Sequence, residues 1–198
     1  KARFISMPEN EYVNGVSYLE SIQVLKKNID VAIIASNADV RRDIIEKLLK
    51  RVKVRYMILE KVAFQSVTDF EFVLNMLDKE DVDAWVNCTN RMSPFFKLLK
   101  KKLRLEERVY MYLNGGNFGI GCNAIHCIDL FAFFTNETQL IIDASRLENK
   151  LSKSKRDGFV EFGGCLTVET LRGDLLTLVS HIGTDRPSIF HIASSNHN

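Results

Sequence analysis

Two hydrophobic periods alternate along the first half of the chain. Val31-Ala32-Ile33-Ile34-Ala35 follows Asp30 as an unbroken apolar run, the pattern of a strand buried on both faces of a parallel sheet. Ser36-Asn37-Ala38-Asp39 supplies turn and N-cap residue types. From Asp39 to Arg51 the apolar positions Ile44, Ile45, Leu48 and Leu49 fall on one face of a helix. Val54-Arg55-Tyr56-Met57-Ile58-Leu59 is a second strand. Thr68–Lys79 repeats the helical pattern with Phe72, Val73, Met76 and Leu77, and Ala84-Trp85-Val86-Asn87 is a third strand. Ahead of these, Leu19, Ile22 and Leu25 predict a helix over Ser17–Lys27, and residues 1–17 read as irregular. Strand and helix alternating through short links predict an α/β fold with a doubly wound parallel sheet.

The pattern changes near Asn87. A helix over Ser93–Leu103 opens on Pro94, Arg108–Asn114 reads as a strand, and Asn123–Phe134 is an apolar helix. Strand-like segments then follow one another at Gln139–Ala144, Gly158–Thr167, Leu175–Ile182 and Ser188–Ala193. That succession predicts an antiparallel or mixed sheet, with Asn149–Asp157 as a polar loop between two of its strands. A boundary near residues 86–92 divides the chain into segments 1–87 and 88–198. The later strands carry Phe159, Val160, Phe162, Leu166, Val168, Leu176, Leu178 and Val179. A sheet with one uncovered face predicts a homo-oligomer formed through it.

Composition narrows the function classes. With 198 residues and 46% hydrophobic positions, a sizeable core is available. Lysine and arginine number 27 against 25 acidic residues, a net charge of +2, which provides no general attraction to nucleic acid or an anionic membrane. The basic run Lys97–Arg104 reads as a solvated helix face. Apolar stretches are too short to span a bilayer and no signal peptide is visible. The four cysteines form no Cys-x-x-Cys pair, so reduced thiols and a cytoplasmic location are expected.

Two polar sets interrupt apolar surroundings. Glu60-Lys61 ends the second strand, and the carboxyl edge of a parallel strand faces the crevice where such sheets bind ligands. Gly119-Ile120-Gly121-Cys122-Asn123-Ala124-Ile125-His126-Cys127-Ile128-Asp129 presents the other. Lys61 and His126 are thus candidate acid/base groups, read against a solvated strand end and a core histidine. Cys122, His126 and Cys127 do not make a metal site: positions 122 and 126 share a helix face, but 127 points about 100° away, and no second ligand pair follows. Arg91 offers a planar fork for a phosphate or sugar carboxylate, or for a structural ion pair. No Gly-x-Gly-x-x-Gly turn accompanies the strands. Either the fold binds no dinucleotide or the chain starts after that motif, and the start Lys1-Ala2-Arg3 favours the second reading.

Val31–Asn37, Glu60-Lys61 and His126-Cys127-Ile128-Asp129, in this order and spacing, resemble the Gfo/Idh/MocA oxidoreductases, the family of glucose–fructose oxidoreductase and inositol dehydrogenase. Asn114-Gly115-Gly116-Asn117-Phe118-Gly119 with Cys122–His126 looks closest to members encoded in surface-polysaccharide gene clusters. The resemblance spans residues 16–198. It implies that residues 1–87 are the back half of a Rossmann-type parallel sheet without its glycine-rich loop. Residues 88–198 become an α/β substrate and oligomerisation domain with a largely antiparallel open sheet. It implies hydride transfer between NAD or NADP and a sugar or nucleotide-sugar carbon, or else a non-catalytic member serving ligand binding or assembly. Ser36, Asn37, Glu60 and Lys61 would meet the cofactor, Lys61 and His126 would carry catalysis, and Arg91 and Asn123 would contact substrate. Two positions depart from the family: Val62 stands where the family has proline, and Cys122 where it often has an acidic residue. A cis bond before Val62 costs about 3 kcal/mol, which predicts a different direction for Lys61 if the family turn depends on cis-proline.

Overall fold

The computed structural model describes residues 17, 19–104, 107–154 and 158–195. It divides into two compact units, Lys1–Asn87 and Cys88–Asn198. Among the described residues no helix is long and apolar enough to cross a membrane.

The first unit is strand and helix in alternation: β1 (Ile29–Ile34), α1 (Ala38–Leu49), β2 (Val54–Leu59), α2 (Val67–Lys79) and β3 (Asp83–Val86). The strands are parallel in the order β1-β2-β3, with Ile33 opposite Ile58 and Ile58 opposite Trp85. Ala32, Ile34, Met57 and Leu59 point into a core closed by Ile45, Leu48, Val73 and Leu77 from the two helices. The helices hold to each other through Asp69. Its amide donates to the Ser66 hydroxyl at 3.1 Å, capping α2, and its carboxylate accepts from Arg42 of α1 at 2.7 Å. The apolar run in β1 is covered on one face only among the described residues, contrary to the both-faces expectation. Ile33 is 69% exposed and Trp85 55%, because α1 and α2 pack together over the other side.

The helix predicted over Ser17–Lys27 is absent from its described part. A single 3₁₀ turn, Ile22–Val24, occurs there, and the Ser21 hydroxyl accepts from the Gln23 amide at 3.2 Å. A serine bonding the main chain locally competes with a longer helix, and β-branched Ile22 and Val24 add little to oppose it. Most of the stretch read as irregular, residues 1–16, and residue 18 lie outside the described residues.

The second unit contains a 3₁₀ turn (Thr89–Met92), α3 (Pro94–Lys102), β4 (Val109–Gly116), α4 (Ile120–Thr135), β5 (Leu140–Lys153), β6 (Val160–Thr170), β7 (Leu175–His181) and β8 (Ile189–Ser194). The five strands lie in the order β5-β6-β7-β4-β8; β4 and β7 are parallel and the other pairs antiparallel. This is the mixed, largely antiparallel sheet that the strand succession implies. α4 covers one face, burying Leu130, Phe131 and Phe134 against Val109, Met111, Val168, Leu176 and Leu178. Leu166, Val168, Leu176 and Leu178 therefore belong to the core, and the sheet's other face displays Tyr110 and Tyr112. The predicted loop over Asn149–Asp157 is strand as far as Lys153, which pairs with Val160, while 155–157 lie outside the described residues. β5 is an edge strand exposed along most of its length, so its polar composition hides its ladder.

Candidate functional site

The carboxyl ends of the three parallel strands collect the first set of residues. The Glu60 amide donates to the Ile34 carbonyl at 3.0 Å and the Asn87 amide to the Leu59 carbonyl at 2.7 Å, so the ladder continues one residue past each strand. The Glu60 carboxylate spans the ends of β2 and β3: it accepts from the Asn87 side-chain amide at 3.2 Å and from the Lys61 main-chain N–H at 3.2 Å. Lys61 is half-buried, and the Lys61–Val62 peptide bond is cis although Val62 is not proline. Asn37 is the N-cap residue of α1 by position, but its side chain makes no capping bond and is exposed. The Ser36 hydroxyl is buried with no hydrogen-bond partner among the described residues.

Arg41 organises this edge, and the periodicity reading does not include it. It is 1% exposed and lies on the inward stripe of α1 with Ile45, Leu48 and Leu49. Its guanidinium donates to the Ser36 and Val62 carbonyls and, at 2.6 Å, to the Ala63 carbonyl. Burial lowers the Arg41 pKa, with Glu60 and Asp39 opposing that shift. The available signal is a charge four residues before Ile45, at a position the helix turns inward.

In the second unit the site is built at the start of α4. That helix begins at Ile120, three residues earlier than the expected Asn123. Its cap comes from elsewhere in the chain: the Gly121 and Cys122 amides donate to the two oxygens of the Glu161 carboxylate at 2.8 and 3.1 Å. An acidic group at a helix N-terminus satisfies orphan amides and complements the dipole. Gly119, before the helix, has φ 75°, and a Cβ there would stand 2.9 Å from Glu161 Oε1. Gly119→Ala is therefore expected to lower stability by about 1–3 kcal/mol, read as a reduced thermal midpoint. An unchanged midpoint would contradict this geometry.

Asn123, His126 and Asp129 recur every three residues along α4, which makes them neighbours on one side. The Asn123 amide donates to the Phe118 carbonyl at 2.6 Å, folding the side chain back over the helix start. His126 is half-buried and its Nδ1 is buried. Asp129 holds Arg91 of the 3₁₀ turn: Arg91 Nε donates to Oδ2 at 2.8 Å and a terminal nitrogen donates to Oδ1. This bond raises the Arg91 pKa. Of the two readings of Arg91, the structure contains the ion pair. Cys127 is pushed up to about 11 by burial, which keeps it a neutral thiol near pH 7. Among the described residues no three His, Cys, Asp or Glu side chains come together to hold a metal ion.

Ser36, Asn37, Glu60 and Lys61 thus share one sheet edge, while Arg91, Asn123 and His126 gather around α4. Arg41 and Glu161 are the additions. No protein-family model and no curated protein sequence matches the chain. Solved structures do. The WlbA dehydrogenase from Bordetella pertussis, in complex with NADH and UDP-GlcNAcA, superposes with a TM-score of 0.62 at 14% identity, over 83% of this chain and 55% of that one. Myo-inositol dehydrogenase from Lactobacillus casei, in complex with NAD(H) and myo-inositol, gives 0.61 at 16% identity, over 83% and 52%. The super-repressor mutant of Gal80p from Saccharomyces cerevisiae gives 0.61 at 14% identity, over 84% and 56%. The chain spans little more than half the length of these structures. Its fold is that of the Gfo/Idh/MocA-type dehydrogenases.

Proposed function

We propose that the complete polypeptide containing these residues is an NAD(P)-dependent oxidoreductase acting on a hydroxyl carbon of a sugar or nucleotide-sugar. The observation that carries this reading is the gathering of Ser36, Asn37, Glu60 and Lys61 at the carboxyl edge of a parallel sheet, in a chain with the dehydrogenase fold. The residues fit the nicotinamide end of a dinucleotide. A buried Ser36 hydroxyl without a partner among the described residues and an exposed Asn37 side chain offer hydrogen bonds at the mouth of α1. No glycine-rich turn for the pyrophosphate occurs in the sequence. When bound, the nicotinamide supplies a hydride acceptor or donor.

The protein's own part is positioning and proton transfer. Glu60 fixes the turn after β2, and Lys61 lends positive charge that stabilises the alkoxide left when the hydroxyl proton is removed, whose electrons form the carbonyl as hydride leaves the carbon. His126 takes the hydroxyl proton, or returns it in the reverse direction. Asn123 and Arg91 lie on the substrate side, Arg91 held in place by Asp129. Surface-polysaccharide synthesis in the cytoplasm is the setting we assign, with copies of the chain associating through the sheet face that displays Tyr110 and Tyr112.

A second reading has its own support. A repressor shares the fold as closely as the dehydrogenases do, and Cys122 replaces a residue that is often acidic. That reading is a non-catalytic ligand-binding or assembly protein. Titration of the complete polypeptide with NADH and NADPH, followed by assay against nucleotide sugars, separates the two. Micromolar binding with sugar-dependent reduction of NAD⁺ or NADP⁺ is expected. Binding without turnover on any sugar would favour the second reading, and no binding would overturn the first.

A further inference from the structure

Arg41 is the largest essentially unexposed side chain among the described residues. A buried guanidinium brings five N–H donors and a charge into the core, at a cost that a hydrophobic residue avoids. Methionine or leucine at 41 would continue the stripe of Ile45, Leu48 and Leu49 without that cost, so core filling does not account for the arginine. What arginine supplies is a rigid planar fork able to hold two chain segments in one geometry. Its acceptors are main-chain carbonyls, not a carboxylate: Ser36 from the turn after β1, and Val62 and Ala63 from the turn after β2. One turn carries Ser36 and Asn37. The other begins with Lys61.

We infer that Arg41 is a positioning residue that couples these two turns, so that a ligand held at Ser36–Asn37 sets the direction of the Lys61 ammonium. The identity of that ligand as a nicotinamide cofactor rests on the reading above; the coupling itself does not. Arg41 is 1% exposed and donates to main-chain carbonyls, so the role assigned to it is indirect. Its loss therefore acts on the chemical step through Lys61, with substrate affinity largely kept.

The test uses Arg41→Lys and Arg41→Met in the complete polypeptide. Lysine keeps the charge but one ammonium cannot span both turns, and methionine keeps the packing. Amide hydrogen exchange is read on peptides covering residues 35–38, 61–64 and 54–59. Both turns are expected to exchange faster together, by roughly tenfold, while β2 keeps its parental rate. With NADH added, the parent is expected to gain protection at both turns and the variants only at 35–38. In turnover, kcat is expected to fall roughly 10- to 100-fold with the sugar KM within about twofold. Unchanged exchange at either turn, uniform loosening that includes β2, or failure of both variants to fold would each overturn the coupling. If the parent binds no NADH, the oxidoreductase reading fails, and exchange in the unliganded proteins still decides the coupling.

Discussion

Turnover by a His126→Ala variant is expected to fall by about 10²–10⁴-fold at neutral pH, with NADH affinity within about twofold of the parent. That loss corresponds to about 2.7–5.4 kcal/mol of transition-state stabilisation. The separation of the two effects follows from the roles proposed for each set of residues. His126 stands on α4 in the second unit, whereas the residues assigned to the cofactor lie at the edge of β1 and β2. The core-facing positions of α4 include Ala124, Cys127, Leu130, Phe131 and Phe134, so truncating half-buried His126 leaves the inner face of the helix intact. Steady-state kinetics with the best nucleotide sugar and NADH titration of the same samples measure both quantities. A loss of less than threefold would remove His126 from the proton-transfer role, whatever the cofactor affinity.

The second large effect concerns stability. Asp174→Ala is expected to destabilise the 88–198 unit by about 2–5 kcal/mol, because it leaves the buried Val109 amide and Thr170 hydroxyl without an acceptor and takes the partner from a partly exposed Arg172. Asp174 is 0% exposed at the turn between β6 and β7. One carboxylate oxygen accepts from the Val109 amide at 2.7 Å and from Arg172 at 2.9 Å. The other accepts from the Thr170 hydroxyl at 2.6 Å and from Arg172 Nε at 3.0 Å. Burial alone would raise the Asp174 pKa; the bonds from Arg172, Thr170 and Val109 outweigh it and leave the pKa below its ordinary value. The sign follows directly. A depressed folded-state pKa adds stability that is complete above the unfolded carboxyl's value, about 3.9, and is lost as pH falls through the folded value. Urea unfolding at pH 7 and at a series of acid pH values checks both statements. The parent should lose stability below about pH 4 more steeply than Asp174→Asn. Coincident urea midpoints for parent and Asp174→Ala at pH 7 would rule the account out.

Periodicity located the first unit well because its elements are short, regular and locally specified. Val54–Leu59 is a strand as read, and the α2 prediction differs by one residue at its start. Glu60-Lys61 was visible because polar residues ended an apolar run. In the second unit misreadings occur where the deciding partner is distant in sequence, whereas the helix expected over Ser17–Lys27 yields to a local bond between Ser21 and Gln23. α4 starts early because Glu161 caps it from 39 and 40 residues downstream. β5 extends into a polar stretch because β6 pairs with it there. Arg41 escaped for a different reason: hydrophobic patterning treats every charge as outward, and this one satisfies itself on backbone carbonyls inside. Val62 in place of proline predicted a changed turn, yet the bond before it is cis.

The strand order of the second sheet bears on how the chain is made. β4 is an interior strand, yet both of its neighbours are encoded far behind it: Tyr110 pairs with Leu175 and with Ala193. At a synthesis rate of about 5–20 residues per second, β4 waits roughly 3–13 s for β7. During that interval Met111 and Leu113, and the apolar side of α4, have no sheet to enter. β1, by comparison, meets β2 after 25 residues, as Ile29 pairs with Val54. A nascent chain is thus expected to have every strand of the β1-β2-β3 sheet, Ile29 to Val86, before β7 is made to pair with β4.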